Sequence, residues 1–183
     1  MRMIATTGSA ITAGLVNLAL AAGRGGHDAP QLKAGDLAPD FELPGSDGRW
    51  HRLRDFRGQA TVVIAWFPKA FTGACTRECE SLGSSRDMLR GFKARYFGAS
   101  IDSPGTNRRF AESMRVDYPI LSDPGRSVAR AYGVLGATGF PSRWTFYIGE
   151  DGRILDIDRV VRAATHGSDV AGKLAELGTA KQA

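Results

Sequence analysis

The chain has two cysteines, Cys75 and Cys79, which lie four positions apart in the stretch FPKAFTGACTREC at residues 67–79. A cysteine thiolate acts as a nucleophile or binds a soft metal ion, and two cysteines can form a disulfide. A buried free cysteine, in contrast, packs as a small apolar residue. The spacing alone therefore leaves three interpretations open: a reactive thiol site, a metal clip, or two small residues buried on one helix.

Cys75 is placed where a buried strand gives way to a helix. The run ATVVIAWF at residues 60–67 is continuously apolar and rich in β-branched residues, which is typical of a strand covered on both faces. A helix is predicted from Gly73 to about Gly91, so Cys75 falls in its first turn. Free backbone N–H groups and the helix dipole favour a thiolate there, and exposure at such a turn would give a substrate access to the sulfur. Thr72 can cap this helix or direct its hydroxyl toward whatever meets the sulfur. Position alone does not separate a reactive Cys75 from a buried structural one.

Four residues of the predicted helix share one stripe. Cys75, Cys79, Leu82 and Leu89 follow one another at spacings of 4, 3 and 7 positions, which places them on the same helix face. Burial in a core beside Leu82 therefore stays open as an alternative to a chemical role for Cys79.

The elements around the cysteines predict an α/β fold. Strands alternate with helices in the first part of the domain, and a two-stranded hairpin around Asp151 and Gly152 closes the second part. This order indicates an α/β sandwich with a mixed central sheet flanked by helices, for which the thioredoxin-like architecture is the candidate. The other predicted strands cover residues 40–43, 95–101 and 118–123, and the other predicted helices cover residues 106–115, 125–133 and 169–177.

The segment PKAFTGAC carries a resemblance to a known family. It fits the Pro-x-x-x-Thr-x-x-Cys pattern of the peroxiredoxins at Pro68, Thr72 and Cys75. The likeness extends over residues 32–177, because AGDLAPDFELPGSDG, SIDSP, YPILSDPGRSVARAYGV and RWTFYIGEDGRI also resemble segments of that family. The nearest branch is the bacterioferritin-comigratory-protein type, also called PrxQ.

The resemblance implies a role for each matched residue. Cys75 corresponds to the peroxidatic cysteine, which attacks the peroxide and becomes a sulfenic acid. Thr72 corresponds to the threonine that hydrogen-bonds the peroxide, and Pro68 to the proline that shields the thiolate from water. Arg143 corresponds to the arginine that stabilises the thiolate and the transition state, whereas without the motif it would be taken for a surface arginine at a strand end.

The resemblance further implies a thiol-dependent peroxidase that reduces hydrogen peroxide or organic hydroperoxides without a cofactor or a metal. A thioredoxin-like reductant is the expected partner, and the branch favours a monomer over a dimer. Cys79 corresponds to a resolving cysteine, although the branch most familiarly places that residue five positions after the peroxidatic one. Residues i and i+4 of a helix have Cβ atoms about 5–6 Å apart, whereas a disulfide needs about 3.5–4.5 Å. A Cys75–Cys79 disulfide therefore requires the first turn of the helix to unwind; resolution by an external thiol or through an intermolecular bridge is the alternative.

Two other classes of protein share parts of this pattern. Sco-type copper chaperones combine Cys-x-x-x-Cys with a histidine at the hairpin, but Arg143 stands there, and the histidines are His27, His51 and His166. We therefore expect His51 and His166 to be structural. A thioredoxin-type disulfide reductase needs Cys-x-x-Cys and a proline directly before the hairpin strand, whereas Pro141 lies two residues short of that place. Both classes fit less well than a peroxidase.

Composition sets the remaining limits. The chain has 183 residues, 43% of them hydrophobic and 23% charged, as expected of one soluble domain. The net charge of +5 comes from 24 Lys and Arg spread among 19 Asp and Glu. No basic block is interleaved with aromatic residues, so a nucleic-acid partner is not expected.

The amino-terminal segment differs from the rest of the chain. Residues 1–22 carry one arginine, no acid, an apolar stretch and a small-x-small pattern at Ala19 to Ala21, which predicts a cleaved signal peptide rather than a stable membrane span. Export to the periplasm follows if this segment is a signal peptide; otherwise we expect a cytoplasmic protein. A linker is predicted at residues 23–34, the domain at 35–178 and a short tail at 179–183.

Overall fold

The computed structural model describes residues 31–182. The predicted signal peptide and most of the predicted linker lie outside the described residues. Within the described part of the chain, no helix is long and apolar enough to span a membrane. The predicted tail lies against the domain, because the Ala180 carbonyl accepts a hydrogen bond from the backbone N–H of Lys93 at 2.8 Å.

Five strands form the central sheet: β3 (Thr61–Trp66), β4 (Ala94–Ser100), β5 (Ile120–Ser122), β6 (Trp144–Ile148) and β7 (Ile154–Asp158). Their spatial order is β5-β4-β3-β6-β7. The first three run parallel, and β6 is antiparallel to both β3 and β7. The expected mixed sheet and its closing hairpin are therefore confirmed.

The remaining elements cover both faces of this sheet. One face carries the antiparallel pair β1 (Glu42–Pro44) and β2 (Trp50–Arg52), a short 3-10 helix (Leu53–Phe56) and one α-helix, whereas the other four helices pack on the opposite face. The helices are α1 (Gly73–Ser84), α2 (Arg86–Leu89), α3 (Pro104–Met114), α4 (Ser127–Ala131), which lies with β1 and β2, and α5 (His166–Glu176).

Strand β3 explains why the fold has two cores. Every residue of this strand is buried, and its side chains alternate between the faces as the period of two requires. Val62, Ile64 and Trp66 contribute to the core on the α4 side, whereas Val63 contributes to the core under α1 and α5. The β-branched run is thus covered on both faces, as predicted from its sequence.

The helix predicted from Gly73 to about Gly91 is wrong in its extent, because it divides at Ser85. α1 ends at Ser84, and α2 begins at Arg86. The sequence Gly-Ser-Ser at residues 83–85 has weak helix propensity, which accounts for the break. The predicted stripe nevertheless holds, since Cys75, Cys79, Leu82 and Leu89 are all buried in one core.

Candidate active site

The pairing of β3 with β6 brings the thiol and the predicted arginine to one edge of the sheet. Trp66, the last residue of β3, pairs with Trp144, the first residue of β6. The loop that leads from β3 into α1 and the segment that leads into β6 therefore meet at this edge. Cys75 arrives on the first turn of α1, and Arg143 arrives directly before β6.

Cys75 and Arg143 are in contact. The guanidinium Nη2 of Arg143 donates to the Cys75 sulfur at 3.2 Å. A fixed cation and the amino-terminal end of α1 both stabilise negative charge on that sulfur. The expectation that Cys75 is exposed is wrong for this conformation, because the residue is 1% exposed and its side chain belongs to the core under α1.

Thr72 is the residue that precedes α1, with an extended backbone at φ −97° and ψ 146°. It occupies the N-cap position, but its side chain makes no capping hydrogen bond. Its hydroxyl instead donates to the Lys69 carbonyl at 2.9 Å. Since a hydroxyl has a single hydrogen, the oxygen of Thr72 is left to accept a hydrogen bond from a ligand.

The loop between β3 and α1 is held in an unusual backbone conformation. Phe71 has φ +61°, in the left-handed region that costs a non-glycine residue about 1–3 kcal/mol. Its ring packs against Phe110 with centroids 5.0 Å apart. One residue earlier, the Ala70 N–H donates to the Asp102 carboxylate at 2.9 Å, and Ser100 donates to the same oxygen at 3.0 Å. Asp102 therefore anchors the loop that positions Thr72.

Pro68 lies half-buried on the same loop. It lines a surface cavity of about 370 Å³ between this loop and the segment that precedes Arg143. The walls are mostly apolar and include Phe140 and Pro141. Residues 136–142 thus form a cavity wall that the motif did not reveal. The cavity adjoins the site through Pro68, whereas Cys75, Thr72 and Arg143 do not line it.

Arg143 has a second buried partner, Glu78. Its Nη1 donates to one carboxylate oxygen of Glu78 while Nη2 contacts Cys75. The Glu78 side chain is 1% exposed, and its other oxygen faces the Nδ1 of His166 at 3.5 Å. Sequence reasoning missed Glu78. Its place between Cys75 and Cys79 on the buried stripe indicates a buried partner, because a carboxylate at a core position needs one.

Cys79 is packed away from the surface. It is 3% exposed, and burial raises the pKa of its thiol to about 12. The hydroxyl of Tyr118 donates to the Cys79 backbone carbonyl at 2.9 Å. Both cysteines are free, so the structure represents the reduced form, in which Cys79 is a protonated core residue.

The histidines do not gather around the cysteines as ligands. His51 pairs with Asp47 at 3.0 Å, and His166 bonds Thr145, while His27 lies outside the described residues. Within residues 31–182, no group of three or more His, Cys, Asp or Glu side chains is arranged to hold a metal ion.

Comparison with known proteins decides among the remaining classes. The model of the AhpC/TSA family matches residues 34–157. Peroxiredoxin Bcp of Escherichia coli K12 is 35% identical over 152 residues, which cover 79% of this chain and 97% of that protein. The chain is a peroxiredoxin of the AhpC/TSA family.

Solved structures agree with this assignment. The crystal structure of peroxidoxin BcpB from Mycobacterium tuberculosis has a TM-score of 0.72 and 33% sequence identity, covering 79% of this peroxiredoxin and 97% of that chain. Peroxiredoxin Q of Xanthomonas campestris has a TM-score of 0.72 and 26% identity, covering 81% and 98%. The thioredoxin-like fold and the Bcp/PrxQ branch are therefore confirmed. This peroxiredoxin is a thiol peroxidase, in preference to a copper chaperone or a disulfide reductase.

Proposed function

We propose that Cys75 is the peroxidatic residue and that Thr72, Pro68 and Arg143 form its reaction site. The observation that carries this proposal is the hydrogen bond from the Arg143 guanidinium to the Cys75 sulfur at the first turn of α1. A fixed cation stabilises negative charge that develops near the sulfur, and the thiolate is the form of a cysteine that attacks peroxide.

In the first step, the Cys75 thiolate attacks one oxygen of the peroxide and the O–O bond breaks. Two electrons pass from sulfur to the peroxide, giving Cys75 sulfenic acid and an alkoxide or hydroxide that takes up a proton. Arg143 stabilises the charge as it leaves the sulfur, and Thr72 accepts a hydrogen bond from the peroxide. Arg143 already contacts the sulfur, so this donor needs little reorganisation.

We propose Cys79 as the resolving residue. Its thiol attacks the Cys75 sulfenic acid, forming a disulfide and releasing water. Two features of the reduced form oppose this step: the raised pKa of the buried thiol and the helical spacing of the two cysteines. Unwinding of the first turns of α1 removes both obstacles, because it exposes Cys79 to water and allows the sulfur atoms to meet.

A dithiol reductant of the thioredoxin type would then return two electrons and restore both thiols. The apolar cavity beside Pro68 supports organic hydroperoxides as substrates in addition to hydrogen peroxide. Replacing Phe140 by alanine is expected to slow reduction of cumene hydroperoxide more than that of hydrogen peroxide. Equal effects on the two peroxides would remove the cavity from the substrate site.

Stopped-flow oxidation of the wild type and of single cysteine variants tests the assignment. Cys75→Ser is expected to abolish peroxide reduction, whereas Cys79→Ser should oxidise at the wild-type rate but recycle poorly with a dithiol reductant. Undiminished turnover in Cys75→Ser would overturn the mechanism. Mass spectrometry after one equivalent of peroxide should show a loss of 2 Da for the disulfide; a persistent sulfenic acid would reject Cys79 as the resolving residue.

Two expectations from the sequence stay predictions. Export is tested by amino-terminal sequencing of the native protein, where an intact Met1 would contradict cleavage. The monomeric state is tested by light scattering of the reduced and oxidised forms, where a stable dimer in both would contradict it.

A further inference from the structure

The first turn of α5 places a histidine in the interior of the protein, next to the site. His166, the first residue of α5, is 1% exposed. The next residue, Gly167, donates its N–H to the Ser81 hydroxyl of α1 at 3.1 Å. A Cβ at Gly167 would overlap the Ser81 carbonyl and the Ser85 side chain. The absence of a side chain at Gly167 therefore lets α5 approach α1 closely enough to set His166 beside Glu78.

The partners of the imidazole determine which nitrogen carries its hydrogen. Nε2 lies 2.9 Å from the Thr145 hydroxyl, and Nδ1 lies 3.5 Å from Oε1 of Glu78. Because an ionised carboxylate only accepts hydrogen bonds, Nδ1 carries the hydrogen and Nε2 accepts from Thr145. Among the described residues, Nδ1 and Oε1 are both buried, and neither atom has a hydrogen-bond partner. Nδ1 is therefore the donor available to Oε1, and Oε1 is the acceptor available to Nδ1.

Burial keeps the imidazole ring neutral. Burial lowers the pKa of His166 to about 4; Asp158 and Asp169 act in the opposite direction, and Arg143 lowers the pKa further. A neutral imidazole faces Glu78 without adding a second cation to the site. Arg143 is therefore the sole positive charge offered to Glu78 within this cluster of described residues.

We propose that His166 is a positioning residue for peroxide reduction: it holds one oxygen of Glu78 so that the other oxygen orients the guanidinium of Arg143 against Cys75. The contacts form one continuous series. Thr145 fixes the imidazole, the imidazole faces Oε1, and Oε2 takes Nη1 of Arg143. Nη2 of the same planar guanidinium then points at the sulfur, since the fork of an arginine is rigid. The inference rests on the proposed role of Cys75 and Arg143.

Two amide substitutions separate positioning from packing. His166→Asn places an N–H donor where Nδ1 stands and keeps the contact with Glu78, whereas His166→Gln places its amide where Nε2 stands and keeps only the contact with Thr145. We expect the rate constant for Cys75 oxidation to fall about tenfold in His166→Gln. This loss is smaller than the one expected when a donor to the reacting atoms is removed outright. The pH of half-maximal oxidation rate should also move upward, and His166→Asn should stay close to the wild type in both respects.

Thermal unfolding of each variant accompanies the kinetics. If the oxidation rates of the two amide variants fall equally, and in proportion to the stability that each variant loses, His166 has only a packing role and the proposal is overturned. Wild-type rates and pH profiles in both would overturn it as well. If neither variant folds, Thr145→Val, which removes the donor to Nε2, decides the matter: an unchanged pH profile would reject the positioning role. Residual peroxide reduction in Cys75→Ser would instead refute the proposed function. The contacts of His166 would then contribute to stability and not to peroxide reduction.

Discussion

Replacing Arg143 by methionine removes one group that serves two buried partners. Methionine fills a similar volume with an unbranched apolar chain, so the substitution leaves Glu78 and Cys75 without their cation and opens little space. We expect both stability and activity to fall, for separate physical reasons. The loss of stability comes from Glu78, and the loss of activity comes from Cys75.

The cost in stability follows from the burial of the pair. The Glu78 side chain is 1% exposed and that of Arg143 is 19% exposed. Removing one partner of a buried ion pair costs about 3–5 kcal/mol, because the other charge is left uncompensated. Water can reach the partly exposed end that Arg143 vacates, so we expect the lower end, about 3 kcal/mol. For a domain of this size that corresponds to a Tm lower by about 6–12 °C.

The cost in rate is set by the contact with sulfur. Removing one fixed donor from a site of developing charge lowers a rate about 10²–10³-fold. The double variant Arg143→Met/Glu78→Gln no longer buries an unpaired carboxylate, so we expect it to regain at least about 1 kcal/mol of the lost stability. It should regain none of the lost rate, because the sulfur still lacks its cation.

Denaturant unfolding followed by circular dichroism measures the stability, and stopped-flow fluorescence with hydrogen peroxide measures the rate. Arg162→Met is the matched control. Arg162 pairs with Asp169 but its side chain is 74% exposed, so losing this surface ion pair should cost less than about 1 kcal/mol. A double variant no more stable than Arg143→Met, or a single variant that keeps the wild-type oxidation rate, would refute the reasoning.

Three further predictions concern the surroundings of the site. Gly167→Ala should destabilise the protein by about 1–3 kcal/mol, because the new methyl group overlaps the Ser81 carbonyl. Asp102→Ala should cost about 1–2 kcal/mol and slow oxidation, because the Ala70 N–H loses its acceptor and the loop before α1 is released. Acid should destabilise the wild type by up to about 3 kcal/mol between pH 6.5 and 4, since unfolded His166 takes up a proton near its ordinary pKa while the folded residue, with its pKa lowered to about 4, resists protonation.

Each of these has a control in the same chain. A Cβ at Gly172, also in α5, would have open space, so Gly172→Ala should be neutral or stabilising, and an equal loss there would remove the close-approach argument. Asp102→Asn retains an acceptor oxygen and should keep most of the oxidation rate; an Asn variant as slow as the Ala variant would point to the charge instead. His166→Gln should reduce the loss of stability between pH 6.5 and 4, and an unchanged acid profile would assign that loss to other groups.

Much of the site was predictable from local sequence, because its geometry is local. The apolar run at residues 60–67 and the following Thr72 and Cys75 predict a buried strand, a turn and a helix start. Those three elements place a cysteine in the first turn of a helix, at the positive end of the helix dipole. Arg143 was predicted through the resemblance of its strand to the family, and the contact with the sulfur agrees with that prediction.

Other features depend on contacts between distant segments. The burial of Cys75 could not be predicted from its position at a strand-helix turn, since it depends on packing over the whole core under α1. The break of the predicted long helix at Ser85 has a local cause in Gly-Ser-Ser, but the packing of Gly167 of α5 against Ser81 and Ser85 depends on the tertiary structure. The wall formed by residues 136–142 and the anchor at Asp102 likewise come from segments far along the chain.

The sequence by itself therefore determined a thiol at a helix start, the strand that leads into that helix and the α/β fold, because periodicity and a helix start are properties of neighbouring residues. Only the tertiary structure decided which residues stand behind Arg143. Glu78 and His166 are 88 positions apart in sequence yet face each other across the interface of α1 and α5. No local pattern encodes such a pair, since its existence depends on a close helix approach that is made between distant parts of the chain.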